Sequence, residues 1–301
     1  MAWSRVARLA LVFGVVSMAL VMAGCSAEPE ASPADGKLAV TVSVVPQQYF
    51  VERIGGEHVA VTVMVGPGDN PTTYEPKPAQ LKALSLSAAY FSVGVPFESV
   101  WLDRIAGANP DMWIVDTIEG IERHPMNTHH HEGEEEAAGA PDPHVWVSPE
   151  LVKIQASTIY EALAELDPDN AATYRANLDA FVDDIDGLIS EIRGTLVGVE
   201  EGRFMVFHPS WGYFAEDFGM EQIAIEIGGQ EPSAQEMAGL IEEARAEGIR
   251  VIFAQPEFNT VDAETIAEEI GGEVLLISPL AYDWLENLRT VANTFAEVLA
   301  E

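Results

Sequence analysis

The sequence is poor in cysteine and in basic residues, and each shortage excludes a class of protein. Its single cysteine, Cys25, rules out a disulfide within the chain. Only 15 lysines and arginines stand against 49 aspartates and glutamates, which gives a formal net charge of −34 at pH 7. Because so acidic a surface repels phosphate backbones, we exclude nucleic acid as a partner.

The chain also lacks the short motifs that mark common hydrolases and nucleotide-binding enzymes. It contains no His-Glu-x-x-His, no Gly-x-Ser-x-Gly and no glycine loop that would cradle a phosphate. A zinc hydrolase would in addition need a general base beside an open metal position. We therefore expect a protein that is not an enzyme.

The N-terminal segment is typical of an export signal that ends at a lipid-attachment site. Two arginines precede an apolar run at 9–22, and a pair of small residues precedes Cys25. This order indicates a secretory signal and not a transmembrane helix. The junction resembles a bacterial lipobox, which predicts a signal peptide at 1–24 and lipidation of Cys25; a free buried cysteine is the alternative. Residues 25–36, rich in Pro, Ala, Ser and acids, predict a flexible tether.

The remaining chain predicts an α/β protein of two lobes. Short, largely apolar, β-branched segments alternate with helical ones in both halves, which favours mainly parallel four-stranded sheets with flanking helices. The predicted strands are 38–44, 58–65, 89–93 and 112–115 in the first half and 203–207, 222–225, 251–254 and 273–277 in the second. We assign 37–166 to an N-terminal lobe and 200–301 to a C-terminal lobe.

A long amphipathic segment separates the two halves. Apolar residues recur every three or four positions from Tyr174 to Leu196, which predicts one helix of about 30 residues. Asp167-Pro168-Asp169 offers an N-cap, a proline at the first helical position and an acid in the first turn. We therefore predict a rigid linking helix at 167–199; half of a coiled coil is the alternative.

Histidines are concentrated in one short tract. Five of the seven in the chain lie within 124–144, interleaved with glutamates, and four of them are His124, His129, His130 and His131. Imidazole is a common ligand of divalent transition metals, and the tract has no apolar periodicity that packing would explain. A loop at 124–140 that scavenges metal is the leading interpretation, and a solvated acidic loop is the alternative.

The last two histidines of interest follow segments at which ligands commonly bind. His208 comes directly after a predicted strand, and His144 lies in the turn-rich segment Asp142-Pro-His144-Val-Trp146. Ligands of open parallel sheets bind beyond the carboxyl ends of the strands. Packing of the lobes would bring the two histidines together across a cleft, although each alone is also consistent with an ordinary hydrogen-bonded histidine.

Four motifs in order resemble the zinc/manganese solute-binding lipoproteins of metal ABC importers, the TroA-like family. They are Asn70-Pro-Thr-Thr-Tyr-Glu-Pro, Asp142-Pro-His-Val-Trp, Phe207-His-Pro and Pro279-Leu-Ala. The resemblance covers essentially the whole mature chain. It implies two α/β lobes joined by a long helix, with one Zn²⁺ or Mn²⁺ bound between them.

The resemblance also implies ligands, two of which this chain lacks. His144 and His208 match the family's second and third ligand positions, whereas Thr72 and Ser278 occupy the first and the fourth. A neutral hydroxyl is a poor zinc ligand.

Three explanations of this gap stay open. A nearby carboxylate replaces the missing ligands, with Glu257 the first candidate; a loop histidine from His129 to His131 completes the site; or water fills the open positions, or the site has drifted to another ligand. The other carboxylates considered are Glu75, Glu226, Glu231 and Asp283.

The resemblance implies a monomeric binding protein, lipid-anchored on the outer side of the cytoplasmic membrane. It would capture a divalent metal, zinc more than manganese because of its imidazoles, and deliver it to a permease and its ATPase. The alternative is a surface lipoprotein that uses the same scaffold for adhesion or for a non-metal solute.

Overall fold

The structure, a computed structural model, describes residues 36–126, 140–199, 201–226, 230–258 and 260–300. All of them belong to one compact unit, Pro33–Glu301. Cys25, His129, His130 and His131 lie outside the described residues, as does most of the predicted tether. None of the helices in the described ranges combines the length and the apolar character needed to cross a membrane.

The N-terminal lobe is built on a four-stranded parallel sheet in the order β2-β1-β3-β4. Its strands are β1 (Leu38–Val44), β2 (Val59–Val65), β3 (Ala89–Ser92) and β4 (Trp113–Asp116), and its helices are α1 (Val45–Gly55), α2 (Pro78–Leu84) and α3 (Pro96–Ala108). The central strand β1 is rich in valine and almost wholly buried, as expected of a strand covered on both faces.

The C-terminal lobe repeats this plan with a second four-stranded parallel sheet, in the order β6-β5-β7-β8. Its strands are β5 (Arg203–Val206), β6 (Glu221–Ala224), β7 (Val251–Ala254) and β8 (Glu273–Leu276), and its helices include α6 (Gly212–Phe218), α7 (Ala234–Glu247) and α8 (Val261–Ile270). Both sheets are therefore parallel throughout, which confirms the predicted fold class.

Two longer helices, α4 (Pro149–Leu166) and α9 (Trp284–Leu299), pack on α5 (Ala171–Thr195), the helix that links the lobes. The linking helix α5 starts four residues later than predicted, because Pro168–Asn170 forms a separate 3-10 turn. Its apolar stripe is buried against α1 and α4 of the first lobe and against α9 of the second. Helices of the same chain thus cover the stripe, and no coiled-coil partner is needed.

Helices α4 and α9 were not predicted, although both carry recognisable signals in the sequence. Ser148 caps α4, its Oγ accepting the Leu151 N–H at 3.1 Å, and Pro149 takes the first helical position. In α9, Leu285, Leu288 and Phe295 fall on one buried face. The α4 helix starts immediately after the His144 segment, so its cap helps to fix that segment.

The positions after β5 and β7 are where the C-terminal sheet is expected to bind a ligand. The chain leaves β5 towards β6 on one side, whereas β7 and β8 lie on the other, so β5 and β7 flank the switch point of the sheet. His208 follows β5, and Glu257 follows β7. Two side chains with metal-binding chemistry therefore come from the two strands that flank this point.

Candidate metal centre

His144 is held by a short carboxylate loop of its own. Its backbone N–H donates to Asp142 Oδ1 at 2.9 Å, and its Nδ1 lies 2.6 Å from the same oxygen. Both side chains are buried in the lobe interface. Because Nδ1 donates to the carboxylate, the ring is fixed in the tautomer that leaves Nε2 as a free lone pair.

His208 is fixed in the same way by a carboxylate from the neighbouring strand. Its Nδ1 hydrogen-bonds to Glu226 Oε2. Burial lowers the pKa of the His208 imidazole, an effect that the bond to Glu226 opposes. The ring is therefore held in its neutral form, which is the form that binds metal, with Nε2 again left free.

The His208 backbone and ring face are also held. Gln255, fully buried, accepts the His208 N–H at 3.3 Å and donates to the His208 carbonyl at 2.7 Å. Phe258 stacks on the imidazole, with the ring centroids 4.4 Å apart and the planes 19° apart. Neither Gln255 nor Phe258 was predicted from the sequence to support His208.

The two histidines converge on one cavity between the lobes. Their ring centroids are 5.2 Å apart and their planes are inclined by 76°. The cavity has a volume of about 30 Å³, and its walls are mostly apolar, with Val95, Met126 and Leu280 among them. Such a space holds an ion and about two waters at most. The predicted convergence of His144 and His208 across a cleft is therefore present.

Two tryptophans tie the His144 segment to the C-terminal lobe. Trp146 Nε1 donates to the Pro279 carbonyl at 2.8 Å, and Trp284 Nε1 donates to the Trp146 carbonyl at 2.7 Å. The Trp146 ring also packs edge-on against His144, at 5.3 Å between centroids. These contacts set the distance between the two histidines, because they fix one lobe's ligand segment against the other lobe.

The substituted family positions take different places in the structure. Thr72 is exposed and lines the cavity, and its backbone N–H donates to Asn70 Oδ1 at 2.8 Å. Ser278 is half-buried, and its hydroxyl donates to Glu257 Oε1 at 2.8 Å. Glu257 lines the cavity as well.

Glu257 carries the clearest sign that the cavity suits a cation. Its Oε2 atom is buried and has no hydrogen-bond partner. A buried carboxylate oxygen without a partner is costly, and a bound cation would remove that cost. Within the described ranges, however, no three side chains of His, Cys, Asp or Glu lie close enough together to hold a metal. A metal at the histidine pair therefore needs a closer approach of Glu257, or water, to complete its shell.

The other carboxylates considered from the sequence do not line the cavity. Glu75, Glu231 and Asp283 are described residues with exposed side chains away from it. Glu226 is buried, but it accepts from Nδ1 of His208 and so orients that ring.

The neck of the histidine-rich loop lies beside the centre. Pro125 and Pro141 form an antiparallel bridge that closes the loop. The His124 N–H donates to the Tyr213 hydroxyl, which in turn donates to the Asp142 carbonyl at 3.1 Å. His124 Nε2 lies 3.1 Å from the exposed Glu216 carboxylate. His124 does not line the cavity, but its backbone is linked through the Tyr213 hydroxyl to the segment that holds His144.

Comparison with known proteins agrees with this architecture. Residues 40–298 match the family model described as ZnuA, zinc-uptake complex component A, periplasmic. A crystal structure of ZnuA is 47% identical with a TM-score of 0.81, and the alignment covers 87% of this chain and 99% of that one.

Two curated relatives are more distant. The manganese-binding lipoprotein MntA of Halalkalibacterium halodurans is 27% identical over 267 residues, 87% of this chain and 86% of that protein. The zinc-binding protein AdcA of Streptococcus pyogenes is 26% identical over 82% of this chain, which spans only 51% of the length of AdcA. With 259 consecutive residues matched by the family model, the chain belongs to the ZnuA family of solute-binding components of metal ABC importers.

Proposed function

We propose that this protein captures a divalent transition metal between its lobes and delivers it to the permease and ATPase of an ABC importer. The observation that carries the proposal is the convergence of His144 and His208 on one small cavity, each with its Nδ1 committed to a buried carboxylate. Two free Nε2 lone pairs in a space of ionic size suit a metal cargo and not an organic solute.

Zinc is the favoured cargo, and manganese is the second candidate. Two imidazoles and one carboxylate suit tetrahedral zinc, whereas manganese prefers more oxygen donors. We assign His144 and His208 as ligands and Glu257 as the third, through its unpartnered Oε2. The relatives are named for both metals, so their names alone do not decide between them.

The proposed location is the outer side of the cytoplasmic membrane. The family description and the lipoprotein names of relatives support export. We propose cleavage before Cys25, lipidation of that cysteine, the tether 25–36 and a monomeric protein with lobes at 37–166 and 200–301. In this arrangement the loop 124–140 raises the local metal concentration beside the cleft, and His124, His129, His130 and His131 supply weak, exchangeable ligands.

The cleft is suited to transport and not to catalysis. Capture and release require only ligands that exchange, and the walls of the cavity are largely apolar. The carboxylates nearest the histidines, Asp142 and Glu226, are engaged with their Nδ1 atoms and so are not placed as general bases.

Calorimetric titration with zinc and manganese tests this proposal. The sample is protein that starts after residue 25, compared with the double variant His144→Ala, His208→Ala. We expect one tight site in the parent protein and its loss in the double variant. Weak, multiple binding that survives the double substitution would place the metal in the loop and favour a surface lipoprotein without an interlobe metal site.

A further inference from the structure

Ser278 and Glu257 form a pair across two neighbouring strands. Glu257 follows β7 and Ser278 follows β8, and these strands are paired in parallel with Ala254 opposite Leu276. The two side chains therefore leave the same edge of the sheet, and the Ser278 hydroxyl reaches Glu257 Oε1 at 2.8 Å. The residue at the family's fourth ligand position thus contacts a carboxylate that comes from the adjacent strand.

The direction of this hydrogen bond is fixed by its surroundings. The Leu280 N–H donates to Ser278 Oγ at 3.1 Å, so the hydroxyl oxygen already accepts one bond. Its own proton is then directed at Glu257, because an ionised carboxylate can only accept. The Ser278 carbonyl is held too, by Asn287 Nδ2 at 2.9 Å. The serine is therefore a fixed donor that does not depend on a bound metal.

The two oxygens of Glu257 differ as a result. Oε1 accepts from Ser278, whereas Oε2 is buried without a partner. A carboxylate can bind a metal through one oxygen or through both. Because Oε1 is engaged, binding of the metal through Oε2 alone keeps the hydrogen bond from Ser278. Binding through both oxygens has to break that hydrogen bond.

We propose that Ser278 is a specificity-determining residue that restricts Glu257 to metal binding through Oε2 alone. This inference rests on the proposed metal-capture function. One carboxylate oxygen and two imidazoles leave a single water to complete a tetrahedron, which is the preferred shell of zinc. Manganese prefers six donors with more oxygen, and the serine withholds one of them. Ser278 thus favours zinc without touching the metal.

The test compares Ser278→Ala with Ser278→Thr, which keeps the hydroxyl. Zinc and manganese affinities are measured by competition with a chelator, and Co²⁺ absorption reports coordination number independently of affinity. For Ser278→Ala we expect the zinc-to-manganese affinity ratio to fall about tenfold, the lower end of the effect that loss of a ligand's partner has on metal affinity. The intense visible bands of four-coordinate Co²⁺ should weaken towards those of a higher coordination number, and Ser278→Thr should retain the parent ratio and spectrum.

A third variant, Glu257→Gln, separates this inference from the proposed function. If metal binding depends on His144 and His208 but Glu257→Gln leaves it unchanged, Glu257 is not a ligand and the inference is overturned while the function stands. An unchanged ratio and Co²⁺ spectrum in a folded Ser278→Ala, in which Glu257 still matters, also overturns it. If Ser278→Ala does not fold, as judged by thermal unfolding, Ser278→Thr provides the test. A parental zinc-to-manganese ratio in Ser278→Thr then supports the inference, and an altered ratio contradicts it.

Discussion

Replacing Glu226 by glutamine tests how much the buried carboxylate contributes to metal binding by His208. The change preserves an oxygen that can accept from His208 Nδ1 but removes the negative charge behind the ring. Both side chains are about nine-tenths buried, at 8% and 10% exposure, so solvent screens this charge poorly.

The magnitude follows from this burial. Loss of a ligand's carboxylate partner typically weakens metal binding by about 10- to 100-fold, or about 1.4–2.7 kcal/mol. Glutamine keeps the ring orientation and loses only the charge, so we expect the lower end, about tenfold, for Glu226→Gln. Glu226→Ala also loses the orientation and should approach about 100-fold.

Competition against a chelator with known zinc affinity measures this effect. Glu221→Gln is the matched control, because it removes the same charge from the start of β6, the strand that Glu226 follows, where the exposed Glu221 pairs with the half-buried Arg203. The control should change zinc affinity by less than about twofold, since exposed charges at that distance are screened. Equal affinities for Glu226→Gln and for the parent protein would refute the idea that the carboxylate tunes the ligand.

Three further predictions concern the interface and the loop. The Asp217 carboxylate accepts from the Ser148 hydroxyl across the lobes, and burial raises the pKa of Asp217 to about 6. The folded protein therefore holds the proton of the Asp217 carboxyl group more tightly than the unfolded chain does. The stability that this proton gives at low pH is lost as pH rises through about 6. In urea titrations, Asp217→Asn should accordingly raise the free energy of unfolding by about 1–2 kcal/mol at about pH 8, after allowance for solvent screening. Near pH 4 the free energy of unfolding should hardly change, and a difference that does not depend on pH would contradict this expectation. Trp146→Phe leaves the Pro279 carbonyl unpaired, so we expect the free energy of unfolding to fall by about 1–3 kcal/mol in the same titrations, together with weaker zinc binding. Unchanged zinc affinity would show that Trp146 does not set the spacing of the two histidines. Deleting 127–139 between the bridged Pro125 and Pro141 should remove weak zinc sites in calorimetry but leave the tight one, and loss of the tight site would instead make a loop histidine its missing ligand.

Parts of the fold could be predicted closely because local signals were complete there. Strand β7 is observed at its predicted bounds, 251–254. Helix α7 carries complete signals at both ends, with Ser233 as its N-cap and Gly248 in the left-handed conformation at its end. The start of α5 differs from the prediction because a separate 3-10 turn follows Asp167, whose carboxylate accepts from the Tyr174 hydroxyl, a contact that sequence patterns do not reveal.

The candidate site could be predicted only in part, because two of its side-chain pairs join segments that follow different strands. Motifs point to His144 and His208, but the role of Glu226 depends on which strand lies next to β5. The observed register pairs Val206 with Ala224, and two residues further along both strands lie His208 and Glu226. The same applies to Glu257 and Ser278, which meet only because β7 and β8 are neighbours.

The most direct test of the interlobe metal site is anomalous diffraction at the zinc edge from crystals of the zinc-loaded protein. Such a site predicts a single strong peak about 2.0–2.1 Å from Nε2 of both His144 and His208, with Glu257 Oε2 about 2.0–2.2 Å from the peak. A peak that is absent from the cavity and present only elsewhere on the protein would contradict it.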